Sequence, residues 1–195
     1  MKNFSIILIT IFTVISFAYS AEAVLYDRGG GLIYDDVLDI TWLQHANYSG
    51  NTMDWDEAMN WAGDLLFQGF DDWRLPSSDS SCTGTNCTGS EMGYLFEMYE
   101  ITSSTPSIFT DVKNYMYWSG TEDPADASKA IRFNFSTGYQ GTSAKTYTRY
   151  AWAVRDGDST LPVAPEPVSS LLFIVGSSAL GVSKLLKKRT GSHSI

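Results

Sequence analysis

The sequence predicts an α+β domain with a small antiparallel sheet, two helices and long loops, followed by one C-terminal transmembrane helix. Three observations carry this reading. Runs of β-branched and aromatic residues stand at both ends of the central region, two stretches between them repeat apolar residues at i, i+3, i+4 spacing, and separate apolar runs occupy the termini. With 195 residues, 44% of them hydrophobic, and six Trp, there is material for one packed core once the terminal runs are set aside.

The N-terminal run, Phe4 to Phe17, follows Lys2 and is short for a membrane span. Small residues come next, at Ala18, Ser20, Ala21 and Ala23, which is the order of a secretory signal peptide over residues 1–23. Cleavage after Ser20 and after Ala23 both fit, and the A-x-A form of Ala21-Glu22-Ala23 favours the second.

The C-terminal run, Val168 to Leu186, is mostly apolar or small and would extend about 28 Å as a helix, enough to cross a bilayer core. Lys184 interrupts it near the end. Lys187, Lys188 and Arg189 act as the membrane stop signal, and this basic flank places the C-terminus in the cytoplasm and the preceding domain outside. Pro165-Glu166-Pro167, the span and the basic cluster, together residues 165–189, resemble the PEP-CTERM sorting signal of Gram-negative bacteria. The resemblance implies recognition and cutting by an exosortase at Pro165, Glu166 and Pro167. It implies a protein held at the inner membrane with its domain in the periplasm, then delivered to the outer surface or beyond. Residues 159–164 form the tether ahead of the signal, and 190–195 a short tail.

Residues 24–158 are the working domain. Between Val24 and Thr160 there are 8 Lys and Arg against 20 Asp and Glu, a formal net charge of −12. That balance argues against nucleic acid as a partner, since phosphate is held by basic surfaces. Cys82 and Cys87 lie in a Thr/Gly/Asn segment, and export to an oxidising compartment predicts a bond between them. His45 is the domain's one histidine and no second cysteine pair exists, which disfavours a zinc site.

In order along the domain, Gly29-Gly30-Gly31 turns the chain into Leu32-Ile33-Tyr34, Asp35-Asp36 breaks that strand, and Val37 to Leu43 returns as the second arm of a hairpin. Asp54 and Glu57 have capping-box spacing ahead of a helix with Trp55, Ala58, Met59, Ala62, Leu65 and Leu66 on one face, and Gly69 is expected to stop it. Trp61 lies off that stripe, either packed under the next corner or open to a ligand. The corner, Gly69-Phe70-Asp71-Asp72-Trp73-Arg74-Leu75-Pro76, sets a guanidinium among carboxylates and an indole between two residues that fix the backbone. Gly69, Asp72, Trp73, Arg74 and Pro76 are its structural residues, with Trp73 expected buried and Arg74 paired.

Beyond the cysteines, Ser90 is placed to cap a second helix carrying Met92, Leu95, Phe96 and Tyr99. Strands are expected over Tyr115 to Ser119, Ala130 to Phe135 and Tyr150 to Arg155, the last half-buried and preceded by a turn at Gly138 and Gly141. The first and last strands are expected to pair.

Gly31-Leu32-Ile33-Tyr34-Asp35, Trp42-Leu43, the corner, Tyr117-Trp118-Ser119-Gly120-Thr121 and Ala151-Trp152-Ala153-Val154-Arg155 resemble the Lcl C-terminal domain family, DUF1566, over about Gly31 to Asp158. The resemblance implies a compact fold related to C-type-lectin-like domains and the formylglycine-generating enzyme. It also points to an exported, non-catalytic surface or extracellular-matrix binding module associated with exopolysaccharide and biofilm. Trp61, Trp118 and Tyr139 are the candidate glycan-binding rings. Calcium is the one cofactor considered, through Glu122, Asp123 and Asp126, although the Glu-Pro-Asn or Gln-Pro-Asp triplet of calcium lectins is absent. The alternatives are a purely structural envelope protein and a carbohydrate-active enzyme using paired carboxylates such as Asp71/Asp72 or Glu122/Asp123.

Overall fold

The chain's computed structural model describes residues 23–160. The signal peptide ahead of Ala23, the Pro165-Glu166-Pro167 signal, the predicted transmembrane helix, Lys187 to Arg189 and the tail lie outside the described residues. Within those residues no helix is long and apolar enough to cross a membrane.

Two antiparallel sheets and two helices make up the domain. The first three strands are β1 (Leu25–Gly29), β2 (Leu32–Asp35) and β3 (Ile40–Leu43). Helices α1 (Trp55–Gly63) and α2 (Glu91–Tyr99) follow. Next come β4 (Met116–Glu122), β5 (Lys129–Asn134), β6 (Tyr139–Ala144) and β7 (Val154–Asp156). One sheet has the order β1-β2-β3-β7, the other β4-β5-β6. The predicted hairpin is β2 and β3, paired from Leu32↔Leu43 to Asp35↔Ile40. β1 is an additional strand, joined to β2 through Gly29, Gly30 and Gly31, all at positive φ where a Cβ would be strained. The last strand pairs with β3, the second arm of the hairpin, and not with the first.

The predicted strand from Tyr150 to Arg155 is regular only over Val154–Asp156. The preceding residues form a seam between the sheets: Trp118 donates its backbone N–H to Tyr150 at 2.9 Å, and Leu43 donates to Ala153 at 3.1 Å. With neighbours on both sides, Ala151, Trp152, Ala153 and Val154 are all fully buried, which overturns the expected half-burial. Trp152 anchors the core. Its ring lies edge-on to Trp42 and Phe109, each at 5.0 Å between centroids, and its indole N–H donates to the Leu43 carbonyl at 2.7 Å. Such aromatic pairs add about 0.5–1.5 kcal/mol each beyond the area they bury.

Helix α1 begins as predicted: Asp54 accepts from the Glu57 backbone at 2.9 Å and Glu57 accepts from the Asp54 backbone at 3.0 Å. Trp55, Ala58 and Ala62 pack with Leu75, Trp118, Ala130 and Ala151. The helix stops earlier than expected, at Gly63, with Asp64 as its cap, so Leu66 falls outside it and is exposed. Ser90 occupies the N-cap position of α2 without making the capping bond, and its hydroxyl instead accepts from the Asp79 backbone at 2.8 Å. Gly141, expected in a turn, lies inside β6 opposite Arg132. The Cys82–Cys87 disulfide is formed, and its loop lies along β6, where Gly84 and Gln140 exchange backbone hydrogen bonds of 2.9 and 2.7 Å.

Candidate functional site

The corner is built on a tight turn. Phe67 and Phe70 exchange two backbone hydrogen bonds of 3.0 Å, and the residues between them, Gln68 and Gly69, have φ of 53° and 85°. Positive φ at both central positions is what a two-residue type I′ turn requires, so Gly69 serves this turn and not a helix end. Trp73 is buried, its N–H donating to the Phe70 carbonyl at 3.1 Å. Arg74 forks onto Glu91 at the start of α2 and reaches Asp156 on β7 at 2.6 Å, while its backbone pairs with Val154. Burial works against the Arg74 charge, but the hydrogen bonds and charges of Glu91 and Asp156 win and raise its pKa above the ordinary value. Asp72 and Arg155 form a second fork, at 2.6 and 2.8 Å, with the guanidinium 4.1 Å above the Phe70 ring. The Arg155 hydrogen bond is the main reason the Asp72 carboxyl lies below its usual range. Pro76 is buried and its carbonyl accepts from Gly120 at 2.8 Å. Asp72, Trp73 and Arg74 therefore each have an internal partner, while Asp71 is exposed, and the corner locks α2, β4 and β7 together.

Beside it lies a cleft of about 180 Å³ lined by Met59, Arg74, Leu75, Ser77, Gly120 and Thr121. Small-molecule sites usually offer roughly 300–1,000 Å³, so this cleft has room for water or a fragment only.

The three candidate rings separate. Trp118 is fully buried, with its N–H donated to the Met53 carbonyl at 3.1 Å, which removes it as a surface ring. Its strand is covered on both faces, by the core on one and α1 on the other. Trp61 is half-buried against the α1 cluster. Tyr139 is 41% exposed at the start of β6, and the Arg132 guanidinium lies 5.5 Å from its ring. The structure adds residues that spacing along the chain did not reveal. Arg149 sits 5.6 Å from the Tyr115 ring and 5.2 Å from the Tyr147 ring, and both tyrosines are exposed. Arg132 and Arg149 also share the Ser143 hydroxyl, at 3.3 and 3.5 Å. The only sequence signal for this group was Arg and Tyr recurring in an acidic chain.

Glu122, Asp123 and Asp126 do not converge. Glu122 pairs with Lys145, Asp123 accepts from the Ala125 backbone at 3.0 Å, and Asp126 accepts from the Ser128 hydroxyl at 2.6 Å and pairs with Lys129 at 2.9 Å. The Ser128 hydroxyl, followed by Lys129, lowers the Asp126 pKa to about 2. These bonds shape the β4–β5 turn, and among the described residues no group of three or more His, Cys, Asp or Glu is placed to hold a metal. His45 faces Asp111 at 4.0 Å on the surface.

No curated protein matches this chain. A family model, that of the Lcl C-terminal domain, matches residues 31–155, from the last glycine of the first turn to the arginine that forks Asp72. Because that match spans most of the chain and includes both the hairpin and the corner, the protein belongs to the Lcl C-terminal domain family.

Proposed function

We propose that this protein is an exported, non-catalytic binding module of the cell surface or extracellular matrix, with exopolysaccharide as its partner. An exosortase would sort it through the PEP-CTERM-type signal at Pro165-Glu166-Pro167, moving it from the inner membrane to the outer surface or medium. In this reading its fold is a C-type-lectin-like or formylglycine-generating-enzyme-like one that binds without calcium. The observation that carries the proposal is the set of exposed tyrosines, Tyr115, Tyr139 and Tyr147, each with the guanidinium of Arg132 or Arg149 close to its ring. Tyrosine offers a ring face for a sugar and a hydroxyl for its polar edge. The disulfide supports export.

A purely structural envelope role is the second reading, favoured by the burial of Trp42, Trp55, Trp73, Trp118 and Trp152. Glycoside hydrolysis through Asp71/Asp72 or Glu122/Asp123 has less support, since Asp72 and Glu122 are committed to Arg155 and Lys145.

The test is retention of the purified chain on the producer's own exopolysaccharide. A folded chain that passes through unretained leaves the structural role in front. Mass measurement of protein recovered outside cells tests the sorting step, and a product that still contains Val168 to Arg189 contradicts it.

A further inference from the structure

In a domain this acidic, cations should find carboxylates easily, and six of the 8 Lys and Arg between Val24 and Thr160 do. Arg28 pairs with Asp158, Arg74 with Glu91 and Asp156, and Lys113 with Asp111. Lys129, Lys145 and Arg155 pair with Asp126, Glu122 and Asp72. Arg132 and Arg149 are the exceptions: neither takes part in any ion pair among the described residues. These two are also neighbours, joined only through the neutral Ser143 hydroxyl.

The fold imposes this arrangement at a cost. Arg132 stands opposite Trp118 on β4 and Gly141 on β6, on the sheet face away from the Tyr117–Phe133 core pair. Gly141 lets the Tyr139 ring and Arg132 lie close over that face, since a Cβ there would be 2.9 Å from the Tyr139 ring and 3.7 Å from Arg132 Nη2. Arg149 Nε is buried without a partner, and its Nη1 donates to the Thr148 carbonyl at 2.8 Å. Burial and then the Arg149 charge push the Arg132 pKa below its ordinary value, the mark of a positive charge held without compensation. Two half-buried guanidiniums side by side repel each other, and a bound anion would relieve the repulsion while accepting their forked N–H groups.

The geometry points to a binding site for an acidic polysaccharide, with a carboxylate or sulfate of the sugar held between Arg132 and Arg149 and its rings lying on Tyr139, Tyr115 and Tyr147. This rests on the binding-module reading above and names its ligand class. The net charge of −12 over residues 24–160 repels a polyanion at a distance. That repulsion is screened beyond about 8 Å at physiological ionic strength, so the short-range forks decide binding there.

The experiment is affinity electrophoresis of the full chain, with EDTA present, through gels containing polygalacturonate, dextran sulfate or neutral dextran. Retardation is expected with at least one acidic polymer and not with dextran, and which acidic polymer retards it identifies the acid group. The Arg132→Gln/Arg149→Gln double variant should lose about tenfold or more in affinity, as expected for losing charge-assisted hydrogen bonds. Its thermal midpoint should be unchanged or higher, because a repulsion has been removed. Lys129→Gln, which removes one positive charge elsewhere, should keep the retardation. Equal retardation by dextran, or undiminished binding by the double variant, overturns the acid site and leaves the module reading standing. Passage unretarded through all three gels, and through the producer's own polysaccharide, overturns both.

Discussion

Arg74 holds Glu91 through two near-parallel hydrogen bonds, Nη1 to Oε2 at 2.9 Å and Nη2 to Oε1 at 2.8 Å. A residue of the corner is thereby fixed to the first residue of α2, while Glu91 Oε2 also accepts the Ser77 backbone at 2.8 Å. The Glu91 side chain is 12% exposed and that of Arg74 34%, so the pair lies between a surface bridge and a buried one.

Arg74→Ala strands Glu91 in that setting. The expected loss is about 2 kcal/mol, between the 0–1 of exposed pairs and the 3–5 of buried ones. Denaturant midpoints of Arg74→Ala, Glu91→Gln and the double variant measure the coupling, and strict additivity would mean the fork contributes nothing.

Gly93 lies inside α2, where alanine is intrinsically better by about 1 kcal/mol. Here the sign should reverse. A Cβ at Gly93 would stand 2.1 Å from the Cys87 backbone carbonyl oxygen, and the disulfide loop has little freedom to withdraw. Gly93→Ala is expected to destabilise the domain by about 2 kcal/mol or more, the scale of overpacking. A thermal midpoint at or above that of the parent would show that the helix can slide away from the loop.

What sequence revealed and what it missed divide along local and non-local lines. The Asp54/Glu57 capping box, the β2–β3 hairpin and the buried Trp73 were legible because each depends on a short stretch of chain, whereas the pairing of Arg74 was legible only as a need for a partner, its partners Glu91 and Asp156 being 17 and 82 residues away. β1 and β6 were not. β1 is half-exposed and ends in Gly29, and β6 contains Gly141, so neither shows the alternation of a strand with one buried face. The Gly69 assignment failed because a glycine at positive φ serves a helix cap and a hairpin turn equally well. Trp118 failed because its strand is covered on both faces. Arg132 and Arg149 come together only through sheet register and the return of the chain to Met53, which pairs with Arg149.

Trp61 and Trp118 should now part company in the opposite sense from a shared ligand surface. Trp118→Ala empties a fully buried site under Arg149 and should cost about 3–5 kcal/mol. Trp61→Ala removes a half-buried ring packed on the same cluster and should cost about 1–2 kcal/mol, by scaling the same series to partial burial. Urea unfolding followed by far-ultraviolet dichroism measures both. A Trp61→Ala chain with an unchanged midpoint would return Trp61 to the list of free surface rings.

Asp35 gives the pH prediction. Its carboxylate is fully buried at the end of β2. Oδ1 accepts from the Val37 and Leu38 backbones at 3.1 Å each and from the Tyr99 hydroxyl at 2.9 Å. Oδ2 is buried with no partner. Burial dominates the three hydrogen bonds and raises the pKa above the ordinary carboxylate value, and Tyr99 is raised in turn, by its own burial and then by the Asp35 charge. A folded-state pKa above the unfolded one means the native protein binds this proton more tightly. The group's contribution is therefore complete below the unfolded pKa and is lost as pH rises through the folded one. Asp35→Asn keeps an acceptor at the Oδ1 position and carries no titrating proton. The stability difference between variant and parent should thus move in favour of the variant as pH rises through and above the ordinary aspartate range of about 3.9, whatever its size at the acid end. Denaturant midpoints of both chains across that range decide it, and a difference independent of pH would mean that burial does not govern the Asp35 carboxyl.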